Sequence, residues 1–167
     1  MTHDDGETGS ALDPYPEHAR LIGLIIADWN KVEARFALLL MRAVGLRSQL
    51  GAKLIRPMAY AIASNSGRLG AMKAIAATAI PADRHRRQLL GLFSEAEKVL
   101  RLRNAVAHGI YTGHGLKVKR LDFRFEFGHP QSPRVVSLKE LRGIHRRIRH
   151  LDFFLLELER DIREGGG

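Results

Sequence analysis

Apolar side chains recur every three or four residues along most of this chain, and every second residue along one short part of it. Ile22, Ile25, Trp29, Val32, Phe36, Leu39 and Leu40 predict a long amphipathic helix to about Val44, stopped by Gly45. Asp13-Pro14 is its expected entry, with Asp as cap and Pro in a turn where a missing N–H is harmless. The alanine-rich segment 48–80 predicts one interrupted helix or two short ones, kinked at Pro57 and broken at Ser64-Asn65-Ser66-Gly67. Arg68, Leu69, Met72, Ile75 and Ala76 carry a helical face on to Pro81. Asp83 caps a further helix with the stripe Leu89, Leu90, Phe93, Ala96, Val99, Leu100 and Val106. Arg84 to Arg87 put positive charge at its start, beside the positive end of the helix dipole, which calls for a phosphate, an acidic neighbour or plain solvent.

After Gly109 the period falls to two. Leu121, Phe123, Phe125 and Phe127 alternate with Asp122, Arg124 and Glu126, the pattern of a half-buried strand. Leu116 and Val118 have the opposite parity, so a bulge or turn is expected near Arg120. Residues 128–133 read as a turn, Arg134 to Val136 as a strand pairing back, and Ile110 to Thr112 as a possible third strand. Ser137-Leu138-Lys139-Glu140 is a capping box that opens the last helix. Its apolar positions Leu138, Leu141, Ile144, Ile148, Leu151, Leu155, Leu158 and Ile162 repeat close to every 3.5 residues, which suits a bundle or a dimer seam. The expected fold is mainly α: an antiparallel bundle of four to five helices with a β-hairpin, about 110–136, inserted before the last helix. Residues 13–164 form one domain behind an acidic, disordered tail, 1–12.

Charge changes the picture more than composition does. The net charge of +9 hides an asymmetry: residues 1–18 hold five of the 18 acidic groups and no Lys or Arg, so the rest carries 27 basic against 13 acidic groups. A basic body fits a polyanionic partner, since neutralising phosphates releases counterions; a merely solvating basic surface is the alternative. Arg101, Lys117, Lys119, Arg142 and Arg146 are the candidate RNA contacts. The chain has no cysteine, which removes disulfides and thiolate metal sites. No apolar stretch reaches the ~20 residues of a membrane span, so no membrane partner and a cytoplasmic location are expected.

The chemistry concentrates in Leu100-Arg101-Leu102-Arg103-Asn104-Ala105-Val106-Ala107-His108-Gly109. Asn104 and His108 stack at i and i+4, whereas Arg103 and His108 are about 140° apart on an ideal helix. Gly109 suits a left-handed helix end, which would leave His108 free to turn toward Arg103 and Asn104. Arg103-Asn104-Ala105-Val106-Ala107-His108 resembles the Arg-x(4-6)-His motif of the HEPN superfamily of α-helical domains, and its place at the end of a penultimate helix resembles that layout over roughly 14–162. The resemblance implies a homodimer in which the Arg and His of both subunits line one cleft. It implies a metal-independent ribonuclease of toxin, RNA-processing or defence type, acting on RNA, with an antitoxin or another protein as possible partner, or a relative that has lost activity. Some such toxins extend the motif to His-x-Tyr, the tyrosine being modified by a partner. Here the order is His108-Gly109-Ile110-Tyr111, one residue longer, which leaves Tyr111 a packing role.

The residues themselves allow the same chemistry. No His-x(3)-His or His-Glu-x-x-His pattern offers a metal site, no glycine-rich phosphate loop is present, no cofactor is called for, and no Ser near the motif offers a nucleophile. What remains is acid–base work by His108, an imidazole with a reference pKa of about 6.5. That suits attack of a ribose 2′-hydroxyl on its own 3′-phosphate, with Arg103 facing the charge that develops and Asn104 orienting. The competing reading is that Arg103 and Asn104 cap carbonyls while His108 satisfies the helix end. Glu33, beside Trp29 and Phe36 on the apolar stripe, is expected either to pair with Arg103 or Arg101 and support the centre, or to pair with Lys31 or Arg35 at the surface.

Overall fold

The computed structural model describes residues 10–44, 61–81, 83–114, 117–121 and 133–164, with the backbone alone at His114 and Leu121. Among these, four helices surround one core, and a three-stranded sheet lies between the last two: α1 (Pro16–Ala43), α2 (Asn65–Ala79), α3 (Arg84–Ala107), β1 (Ile110–His114), β2 (Lys117–Leu121), β3 (Arg134–Val135) and α4 (Leu138–Glu164). The mainly helical fold with an inserted hairpin is what the periodicity predicts. Gly45, Pro57 and the strand positions Phe123, Phe125 and Phe127 lie outside the described residues.

The helix ends follow local chemistry. Asp83 Oδ1 accepts from the Arg86 N–H at 2.8 Å and Ser64 Oγ accepts from the Gly67 N–H at 3.0 Å, so the expected break at Ser64–Gly67 is a helix start. The Glu140 N–H donates to Ser137 Oγ, but the Glu140 carboxylate pairs with Arg134, so half of the capping box forms. The entry to α1 is one dipeptide later than expected: Tyr15-Pro16 replaces Asp13-Pro14, because the Asp13 N–H is taken up by the Ser10 carbonyl in a preceding turn. That turn takes in residues 10–12.

Helix direction is where the bundle departs from a simple antiparallel one. α2 and α3 run antiparallel, as Lys73–Glu97 and Arg86 to the Ala77 and Ile80 carbonyls require. α3 and α4 do too, through Arg147–Glu95 and Arg84–Asp161. α1 and α4 are parallel instead: His145–Asp28, Arg35–Asp152 and Arg42–Glu159 all join positions 117 apart. The α4 stripe is consumed by this protomer's own core, Leu141, Ile144, Ile148, Leu151, Leu155 and Leu158 all being buried, so it is not a dimer seam. Phe36 and Phe93 stack at 4.3 Å between α1 and α3.

The sheet is antiparallel in the order β1-β2-β3, with Tyr111 opposite Arg120 and Arg120 opposite Arg134. No turn falls at Arg120; β2 runs through it with Val118 and Arg120 on one buried side. The Val136 N–H donates to the Val118 carbonyl, and Val136 is buried in the core, so the sheet is fastened where α4 begins. Tyr15 lies against Gly113, where a Cβ would fall 2.4 Å from the ring.

Candidate functional site

The last two turns of α3 place Arg101, Asn104 and His108 on one flank, at i, i+3 and i+7. His108 is the C-cap residue; its N–H donates to the Asn104 carbonyl at 3.0 Å, and its side chain is exposed. The imidazole makes no side-chain hydrogen bond among the described residues, to Arg103 or Asn104 included. Arg101 is exposed beside it. Arg103 points into the protomer and is only 9% exposed. Its Nη1 donates to Asn104 Oδ1 at 3.2 Å, which fixes the Asn104 amide with the Nδ2 donors facing away.

Glu33 does not pair with Arg103, Arg101, Lys31 or Arg35. Its Oε2 accepts from Arg68 Nη2 at 3.2 Å, while Lys31 and Arg35 both go to Asp152 on α4. The reason is geometric: Glu33 lies on the flank of α1 that faces α2, and Arg68 sits in the first turn of that helix. Arg68 also bonds Asn65 and donates to the Ile62 carbonyl at 2.9 Å. Arg103 still feels this pair. Burial makes its guanidinium less basic than an ordinary arginine, the Glu33 carboxylate opposes that, and the Arg68 charge adds to it. Arg103 Nε, Glu33 Oε1 and Trp29 Nε1 are buried with no hydrogen-bond partner among the described residues. Buried polar atoms of this kind are uncommon and costly.

The sheet closes over the end of α3. A Cβ on Gly109 would fall 2.4 Å and 2.5 Å from Arg120 Cγ and Cδ and 3.2 Å from the Ala105 carbonyl oxygen. Glycine is therefore required for the close approach of the Arg120 stem, and not for the left-handed backbone expected at Gly109. The Tyr111 hydroxyl donates to the Val106 carbonyl at 2.7 Å, satisfying one of the acceptors that a helix end leaves open. Arg68 and Arg120 are the residues sequence reading missed. The parity of Val118 and Arg120 was a usable signal for Arg120, since it puts an arginine on the inward side of a strand; Arg68 carried none.

The remaining candidates are dispersed. Lys117 is exposed and Lys119 half-buried on β2, and Arg142 and Arg146 are exposed on α4, Arg142 lying 3.9 Å from Glu17. Three of the four basic groups at the start of α3 are met by protein groups, Arg84 by Asp161, His85 by Asp83 and Arg86 by two α2-end carbonyls, and Arg87 is exposed. Among the described residues no group of three or more His, Asp or Glu is placed to hold a metal ion, and no helix is long and apolar enough to cross a membrane. Comparison with protein-family models, with curated proteins and with solved structures returns no match. The chemistry is therefore read from this chain's own residues.

Proposed function

We propose that the chain is a HEPN-type endoribonuclease, independent of metal, that acts as a dimer with Arg103, Asn104 and His108 of both subunits at one cleft. The observation that carries the reading is an accessible imidazole at the C-cap of α3, one turn beyond an amide that accepts a hydrogen bond from a buried guanidinium. In it, His108 takes the proton of the ribose 2′-hydroxyl in one subunit, and its counterpart gives a proton to the leaving 5′-oxygen. Asn104 offers its free Nδ2 donors to a phosphate oxygen. Arg103 supplies charge from beneath the last turn, where few waters screen it. Glu33, with Arg68, supports the end of α2 alongside.

A second reading is favoured by the burial of Arg103. A guanidinium that is buried and donates to the neighbouring amide also suits a module that binds RNA or a protein without cutting. The two separate on one experiment: total RNA incubated with the protein in EDTA. The nuclease yields fragments ending in 2′,3′-cyclic phosphate, and His108→Ala abolishes them. Cleavage that survives His108→Ala removes the proposed site; intact RNA with salt-sensitive binding favours the module.

A further inference from the structure

Ion pairing divides the arginines of α4 into two groups. Arg147 pairs with Glu95 of α3, Arg142 approaches Glu17, and Arg160 and Arg163 are held by Glu157 and Glu159 of their own helix. Arg146 and Arg149 have no acidic partner among the described residues. Both lie on the outer midline of the helix: His145 and Asp152 mark the flank facing α1, and Arg147 and Asp161 the flank facing α3. Phe153 continues this midline at i+7 from Arg146, and Phe154 stands beside it at the exposed edge of the α3-facing flank, at i+7 from Arg147. Phe153 and Phe154 are 54% and 53% exposed, with their rings in edge contact at 5.6 Å.

We propose that this outer face of α4 binds single-stranded RNA, Arg146 and Arg149 holding phosphates while Phe153 and Phe154 give bases a surface to stack on. The proposal rests on RNA being the partner, but not on cleavage. Two exposed phenylalanines beside two uncompensated guanidiniums are the pairing that single strands require, a cation for the backbone and an aromatic face for the base. From Arg146 to Phe153 the helix rises about 10 Å, room for roughly three stacked nucleotides at about 3.4 Å each. A second copy of the chain fits the face poorly. Across a parallel two-fold, Arg149 meets Arg149; across an antiparallel one centred on Phe153, Arg146 approaches Arg160, and Arg149 approaches Glu157, which Arg160 of its own chain already engages.

The face is separate from the motif. α4 touches the flank of α3 that carries Glu95, whereas His108 falls within about 20° of Glu97, on the flank that faces α2. The α4 face is therefore a holding surface and not a wall of the catalytic cleft.

Fluorescence anisotropy tests it, with a labelled oligouridine of about 12 nucleotides, inside the range of known single-strand sites. The protein is the full chain carrying His108→Ala, so the probe stays whole. Arg146→Glu with Arg149→Glu is expected to weaken binding at least about tenfold and to flatten the log–log salt dependence by about 1.4, two contacts' worth. Phe153→Ala with Phe154→Ala is expected to weaken it about tenfold or more, and Arg146→Lys with Arg149→Lys to leave it nearly unchanged. All three pairs are on the outside, so their melting curves should overlay. Binding that ignores the phenylalanines, or a polyglutamate that displaces the RNA as well as unlabelled RNA does, overturns the proposal and makes the face a generic cationic or acidic-protein surface. Cleavage by the unmodified chain with affinity unchanged in the variants sinks this surface alone. Affinity lost in the variants with no cleavage sinks the nuclease alone.

Discussion

Arg103 is the residue at which two accounts of this protein predict opposite results. If the guanidinium is there to hold the helix end, removing it costs stability. If it is there for charge, the fold carries it at a loss, because its Nε is buried without a partner and burial already weakens its basicity. Replacing a buried ion with an apolar chain of similar length is often neutral or stabilising. Asn104, left half-buried, can return its Oδ1 to water, and Glu33 keeps Arg68. We therefore expect Arg103→Met to unfold in urea within about 1 kcal/mol of the unmodified chain, or later, while RNA cleavage falls at least about a hundredfold. A destabilisation of several kcal/mol with cleavage lost only in proportion to unfolded protein would assign Arg103 to the scaffold. The inward direction is legible in the sequence, because the Arg103 position falls within an apolar stripe; whether a carboxylate meets it there is not. The expected partner, Glu33, was taken by an arginine 35 positions away across α2.

At the scale of elements, α3 presents the motif at one end and depends on Asp83 at the other. The Asp83 carboxyl is held below its ordinary range chiefly by the Arg86 backbone N–H, with the neighbouring His85 helping. Glu95, midway along the helix, is lowered chiefly by its hydrogen bond from Arg147 of α4. A carboxyl with a depressed folded pKa adds stability above its unfolded value and loses it as pH falls through the folded one. The window therefore lies below about pH 4 to 4.5. Thermal unfolding followed from pH 6 down to about pH 3 should show the melting temperature falling. Asp83→Asn, which caps without titrating, should flatten that fall, and identical slopes would assign the acid sensitivity elsewhere. The cap was legible because it depends on residues three apart, as the helical stripes depend on residues three and four apart. What was not legible depends on distance along the chain. The parallel packing of α1 on α4 needs pairs 117 positions apart, and the continuity of β2 through Arg120 needs both neighbouring strands.

At the scale of the whole molecule, the nuclease proposal stands on stoichiometry. One protomer offers a single imidazole at the motif, yet cleavage with a 2′-hydroxyl nucleophile wants one group to take a proton and another to give one. Isologous pairing around a two-fold axis supplies both from the same surface, since each subunit meets the other with identical residues. This arrangement has a quantitative signature that no single-chain enzyme shares. When unmodified chain and His108→Ala chain are refolded together so that subunits exchange, only dimers with two intact histidines are competent. The fraction of such dimers is the square of the fraction of unmodified chain, so an equal mixture should retain about a quarter of the activity. Independent sites, one per protomer, would retain about a half. Because His108 is exposed at a helix end and contributes no side-chain hydrogen bond among the described residues, the alanine subunit should fold and exchange normally, which an unchanged melting curve checks. A linear dependence on the intact fraction would break the composite cleft while leaving cleavage by a lone His108 to be explained within one chain.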